Sequence, residues 1–159
     1  METINQDWKT DVRKDRHHIT QEDFTPPEIV DMLIEGQDEL FNDFSKTFLD
    51  PCIGIGFIYI GVLKKRFENC RTAKDILAAI NTMYGTELMD DNVSECKDNI
   101  WNEISKFMAD NNIKYTGKHG TFRDKVDEIL DHNIVCTDTF KWDYENWCPI
   151  KEITVNPLF

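Results

Sequence analysis

The apolar positions of the chain fall into two alternating spacings, and the alternation itself indicates a fold class. Ile29-Val30 and Leu33-Ile34 recur at helical spacing, with Leu40-Phe41 beyond, so a helix is expected from near Pro26 to about Gly36 or Leu40. Thr25 ahead of it is an N-cap type of residue. Pro26-Pro27 is tolerated there because the first turn has no intrahelical acceptor for its N–H groups. Thr47-Phe48-Leu49 is a short apolar run ending in Asp50-Pro51 and the glycines 54 and 56, which predicts a strand and then a turn. From Phe57 to Phe67 a helix is expected, with Lys64-Lys65-Arg66 in its last turn, where the macrodipole favours cations.

The same pattern repeats downstream. Ile76, Leu77 and Ile80 mark one face of a helix over 72–81, followed by a strand over 83–88 that carries Glu87 at its carboxyl end. Asp90, Asp91 and Asn92 cap a helix from about Val93 to Met108, with Val93, Ile100, Trp101, Ile104 and Met108 along one side. A polar connection over 111–120 leads to a short helix, Phe122 to Leu130, and a strand, Ile134-Val135-Cys136, that ends at Thr137-Asp138. A last strand, Ile153-Thr154-Val155, runs into Asn156-Pro157. The expected fold is α/β: an incomplete parallel sheet of about four strands with helices on both faces. Residues 1–22 read as a polar N-terminal arm and residues 23–159 as one domain.

Composition narrows the function classes. Of 159 residues, 18 are Lys or Arg and 30 are Asp or Glu, for a formal charge of −12. The acidity is concentrated: 21–50 carries −8 and 87–111 carries −5. Nonspecific nucleic-acid binding rests on clustered cations, so most of this surface is a poor match for phosphate. The basic residues of the first 18 positions are interleaved with acids and read as a solvated arm. No apolar run approaches the roughly 20 residues of a membrane span, and no signal-peptide pattern opens the chain, so no membrane association and a cytoplasmic location are expected. Five cysteines without a CxxC pair predict reduced, mostly buried thiols and neither a disulfide framework nor a metal site.

In open α/β sheets, ligands bind beyond the carboxyl ends of the strands. Glycines after the first strand let the backbone approach a ligand, and the following helix N-terminus favours an anionic group. An acid ending the second strand suits a ribose diol, and Asp138 after the third suits an exocyclic amine, with Phe140 available to stack on a ring.

Phe24-Thr25-Pro26-Pro27-Glu28-Ile29-Val30, Asp50-Pro51-Cys52-Ile53-Gly54-Ile55-Gly56-Phe57, Tyr84-Gly85-Thr86-Glu87-Leu88, Asn133-Ile134-Val135-Cys136-Thr137-Asp138 and Asn156-Pro157-Leu158-Phe159 resemble, in order, the motifs of S-adenosylmethionine-dependent adenine-N6 DNA methyltransferases. The resemblance implies a Rossmann-like methyltransferase fold with S-adenosylmethionine as cofactor. Phe24, Thr25 and Pro26 would cover its methionine end, and Asp50, Pro51, Gly54 and Gly56 would form the floor beneath. Glu87 would hold the ribose hydroxyls, Leu88 would pack on the adenine, and Asp138 would bond its N6, with Phe140 nearby. Asn156 and the Pro157 carbonyl would accept hydrogen bonds from the target amine, and Phe159 would stack on the flipped base. Leu158 stands where the family usually has a second proline. The family's remaining strands and DNA-reading region have no counterpart, so the chain is expected to be the cofactor half of a larger enzyme. Methyl transfer and DNA contact would then need a partner subunit or a second copy to close the exposed sheet edge. The alternative is a catalytically inactive acidic interaction protein, an inhibitor or DNA mimic derived from such an enzyme.

Overall fold

The computed structural model describes residues 25–151. The arm over 1–22, Phe24, the strand expected at 153–155, and Asn156, Pro157 and Phe159 lie outside the described residues. Within them the chain is α/β, with six α-helices, a three-stranded parallel sheet and a two-stranded antiparallel hairpin. Helix α1, Pro27–Ile34, starts at the expected place and stops before Gly36, and a separate turn of helix, α2 (Asp38–Phe41), follows. Strand β1 (Phe48–Asp50) leads to α3 (Phe57–Phe67) and α4 (Ala73–Asn81). Strand β2 (Met83–Glu87) leads to α5 (Asp90–Asp110) and α6 (Phe122–Asn133), and β3 (Ile134–Cys136) completes the sheet. Thr72 and Thr121 open α4 and α6 with reciprocal capping boxes, each closed by an aspartate three residues on.

The strand order is β1-β2-β3, all parallel, with Phe48 opposite Met83, Leu49 opposite Tyr84, and Gly85 opposite Ile134. Because side chains alternate along a strand, Phe48, Met83 and Ile134 share one face and Leu49 and Tyr84 the other. The first face carries the core: Met83 and Ile134 are buried in one cluster with Val62 and Leu63 of α3, Ile76 and Ile80 of α4, Ile100 and Ile104 of α5, and Val126 and Leu130 of α6. Each such side chain contributes roughly 1.5–3 kcal/mol on burial. Helix α1 adds Val30 and Ile34, packed so tightly on α3 that a Cβ at Gly61 would come within 2.5 Å of Val30 Cγ1.

The opposite face differs from the expectation of helices on both sides. Among the described residues it meets a hairpin, β4 (Trp142–Asp143) and β5 (Cys148–Pro149), in a segment where the apolar pattern predicts no strand. Two-residue strands carry no readable period. The hairpin is fastened by Trp147, whose ring stands edge-on to Tyr84 at 4.7 Å and whose Nε1 donates to the His132 carbonyl at 2.7 Å. Trp147 has φ +50, a left-handed backbone that costs a bulky residue about 1–3 kcal/mol and persists here because these contacts hold it.

Arg66 joins the layers at the opposite end of the sheet from the glycine turn. Although it is only 1% exposed, its guanidinium donates to the Ala79 carbonyl at 2.5 Å, to Thr82 Oγ1 at 2.7 Å and to the Lys46 carbonyl at 2.8 Å. Asn133 serves the same turn, its Nδ2 lying 3.1–3.2 Å from the carbonyls of Ile80, Asn81 and Met83. The Ala79, Ile80 and Asn81 carbonyls lie in the last turn of α4, where intrahelical donors run out. Arg66→Met is expected to lower unfolding free energy by about 3 kcal/mol in urea titrations, because it strands buried carbonyls. Arg66→Lys should restore less than half, since a single ammonium cannot span the fork; a loss under about 1 kcal/mol for the methionine variant would show that the clamp is dispensable.

Candidate functional site

The three parallel strands finish at one edge, and the loops leaving them are tied together. After β1 the chain stays alongside β2 for one more step, Ile53 N donating to the Thr86 carbonyl at 3.0 Å. It then turns through Gly54 (φ +54) and Gly56 (φ +91), which is the N-cap of α3. Both conformations favour glycine, and at Gly56 a Cβ would also lie 2.7 Å from Cys96 Sγ. The turn predicted from Asp50 to Gly56 is therefore present, and its shape requires the residues found there.

Glu87, the last residue of β2, is the centre of this edge. Its Oε2 accepts from Gly54 N at 2.9 Å, and its Oε1 accepts from Met89 N at 3.0 Å, with Asn92 Nδ2 at 3.5 Å. One carboxylate thus couples the glycine turn to the start of α5. Its backbone carbonyl accepts from Thr137 N at 2.7 Å, which brings the loop after β3 alongside. Asp50 Oδ1 accepts from Cys52 N at 3.2 Å. Burial raises the Asp50 carboxyl above its ordinary value, and the neighbouring Glu87 charge raises it further against the Cys52 bond.

Thr25 reaches the same place: with Asp50, Ile53, Gly54 and Phe57 it lines a cavity of about 40 Å³ beside the glycine turn. Pro26 sits at the N-cap of α1, its carbonyl accepting from Ile29 N and Val30 N. Pro51 lies in the turn after β1, where its carbonyl is used by Thr86. Leu88 is 64% exposed and Phe140 88% exposed among the described residues, so two largely exposed apolar side chains flank the strand ends. Asp138 caps the 3-10 turn 139–141, its Oδ1 accepting from Phe140 N at 3.0 Å, with Lys141 Nζ 3.9 Å from Oδ2. Of the residues singled out in the sequence, Thr25, Asp50, Gly54 and Glu87 are joined by contacts or a shared cavity, and Gly56 closes the same turn through its N–H on the Ile53 carbonyl. Asp138 and Phe140 stand on the adjoining loop.

Sequence reasoning missed Thr86, a fully buried hydroxyl within β2, and Tyr144 in the hairpin, both of which bond to these loops. The β-propensity of a threonine in a strand conceals its bonding role, and nothing local marks Tyr144. It also grouped the thiols as mostly buried. Cys70 and Cys96 are buried, the Cys70 thiol being pushed up to about 12 by desolvation, while Cys52 and Cys136 are exposed close to Glu87.

Because the raised Asp50 carboxyl binds its proton more tightly in the folded chain than in the unfolded one, its ionisation opposes folding as pH rises through the acid range. Asp50→Asn is expected to raise the melting temperature at about pH 7 and to give no gain at about pH 3, where both side chains are neutral; thermal scans by circular dichroism at the two pH values measure the difference. Equal midpoints for the two proteins at neutral pH would refute the charge argument. No protein-family model, curated protein or solved structure matches this chain.

Proposed function

We propose that the chain is an S-adenosylmethionine-binding module of a Rossmann-like, adenine-N6 DNA methyltransferase type. The observation that carries the reading is the junction at Glu87: the acid ending the second strand bonds the glycine turn that follows the first, and the loop after the third lies alongside. The chemistry of the donor set fits this cofactor. Asp50 and Glu87 are two carboxylates near enough for one to raise the other's proton affinity, an environment that favours a cationic ligand. The N-terminus of α3 at Gly56 offers unpaired N–H groups to a carboxylate. Leu88 and Phe140 offer apolar faces to a ring. The enclosed space at the glycine turn is small, so a ligand of cofactor size would lie along the strand ends over it.

In this reading Asp50 and the glycine turn bind the amino-acid end, with Thr25 and Pro26 beside it and Pro51 fixing the turn. Glu87 binds the ribose hydroxyls, Leu88 and Phe140 hold the adenine between them, and Asp138 accepts from its amine. The cofactor supplies an electrophilic methyl group on sulfur. Asn156 and the Pro157 carbonyl would orient the target amine by accepting its hydrogens, and Phe159 would stack on the base.

Partner dependence belongs to the same proposal. Among the described residues the Leu49–Tyr84 face carries the hairpin, through the Tyr84–Trp147 contact, in place of the helices expected there. A second chain or a second copy would cover that face and bring cations for DNA, which the −8 and −5 segments do not offer.

Calorimetric titration with S-adenosylmethionine is expected to give a dissociation constant in the micromolar range, and Glu87→Ala to weaken it at least about tenfold, the loss typical of a charged hydrogen-bond acceptor. Absence of binding by the intact chain, or an unchanged constant in the alanine variant, would sink the cofactor reading. Methyl transfer to adenine-containing DNA by the purified chain alone should be undetectable; turnover without any partner would overturn the partner requirement.

A further inference from the structure

A set of linked hydroxyls runs beneath the strand ends, and none of its three residues has been assigned a ligand contact above. Thr86 is fully buried and its Oγ1 donates to the Pro51 carbonyl at 2.7 Å. Thr86 Oγ1 also lies 3.3 Å from Thr139 Oγ1 and 3.3 Å from Tyr144 OH. Those two bond to each other, and Tyr144 OH also reaches the Thr139 carbonyl at 3.2 Å. The contacts link Tyr144 and Thr139 to Thr86, and Thr86 donates on to the Pro51 carbonyl. Hydroxyl bonds that share atoms in this way polarise and strengthen one another.

What the series connects gives it a consequence. Pro51 follows Asp50 and leads into the glycine turn. Thr139 stands between Asp138 and Phe140, and Thr86 precedes Glu87 in β2. The hydroxyls therefore tie the loop after β1 to the loop after β3 through the strand between them. Tyr144 is supplied by the hairpin, whose Trp147 is anchored on Tyr84.

We infer that Tyr144 is a positioning residue for the cofactor site, its hydroxyl fixing the spacing between the glycine turn and the Asp138–Phe140 loop. The inference rests on the S-adenosylmethionine reading of that site. A ligand that spans both loops needs the spacing held, whereas one that engages only the loops after β2 and β3 allows the remaining loop to shift without loss. Tyr144→Phe removes the hydroxyl and keeps the ring that packs beside Trp147 at 6.2 Å.

The test compares wild type and Tyr144→Phe, both as full chains, for binding of S-adenosylmethionine and of adenosine by calorimetry, for melting temperature, and for amide exchange at Ile53 and Gly56. The expected result is about tenfold weaker binding of the whole cofactor, adenosine affinity within about twofold, and a melting temperature within about 2 °C, together with faster exchange at the two amides. Unchanged cofactor affinity, or equal losses for cofactor and adenosine, would overturn the positioning role, because a general loosening of the domain does not separate the two ligands. If wild type binds neither ligand, the cofactor reading fails by itself, and exchange decides the tie: faster exchange at Ile53 and Gly56 in the variant retains it, and identical exchange overturns it.

Discussion

Parallel pairing constrains everything else in this chain. Two parallel strands cannot be joined by a tight turn, so each step from β1 to β2 to β3 needs a long crossover, and each is made here by two helices. Both steps move in the same direction across the sheet. Crossovers of one hand that advance in one direction fall on one face, and the buried residues of α3 to α6 accordingly form one cluster with Met83 and Ile134. Two consequences follow from that geometry. All three carboxyl ends come to the same edge, and the Leu49–Tyr84 face receives no helix from the same crossovers. An aromatic hairpin occupies part of it instead.

The parts of this arrangement that were legible in the sequence are those with a period or a forced backbone. The apolar spacing of α3 to α6 located each of them, because each buries one stripe against a common core. The glycine turn was legible because Gly54 and Gly56 take positive φ, and the resemblance to methyltransferase motifs was read from the same residues. Interactions between distant residues with ordinary local roles were not legible. Arg66 reads as one of three cations at a helix end, yet Lys64 and Lys65 pair with Glu103 and Asp38 on the surface while Arg66 turns inward to acceptors from residues 46, 79 and 82. The hairpin was missed because its stability comes from Trp147 docking on a distant strand and not from strand propensity.

Asp138 shows how a residue can satisfy both a bland and a functional reading. Its side chain caps the turn 139–141, the ordinary use of an aspartate before a short helix, and that bond also fixes the loop on which Phe140 is displayed. One carboxylate oxygen accepts from the Phe140 amide, while the other lies 3.9 Å from Lys141 Nζ. A cap of this kind leaves acceptor capacity at the strand edge.

Charge joins the fold to the candidate site. Much of the acidity is absorbed by structure: Asp75 and Asp124 close capping boxes, and Asp38, Asp98 and Glu103 meet Lys65, Arg123 and Lys64. Asp50 and Glu87 differ, because among the described residues both are held by backbone N–H groups at the end of adjacent strands. Each of those amides stabilises a carboxylate, but neither carries the full positive charge that would offset the repulsion felt at Asp50. Replacing Asp50 by a neutral residue would relieve this cost, whereas the Glu87 carboxylate also holds Gly54 and Met89 at the strand ends. On the proposed reading, a positively charged ligand at the strand ends would offset that cost.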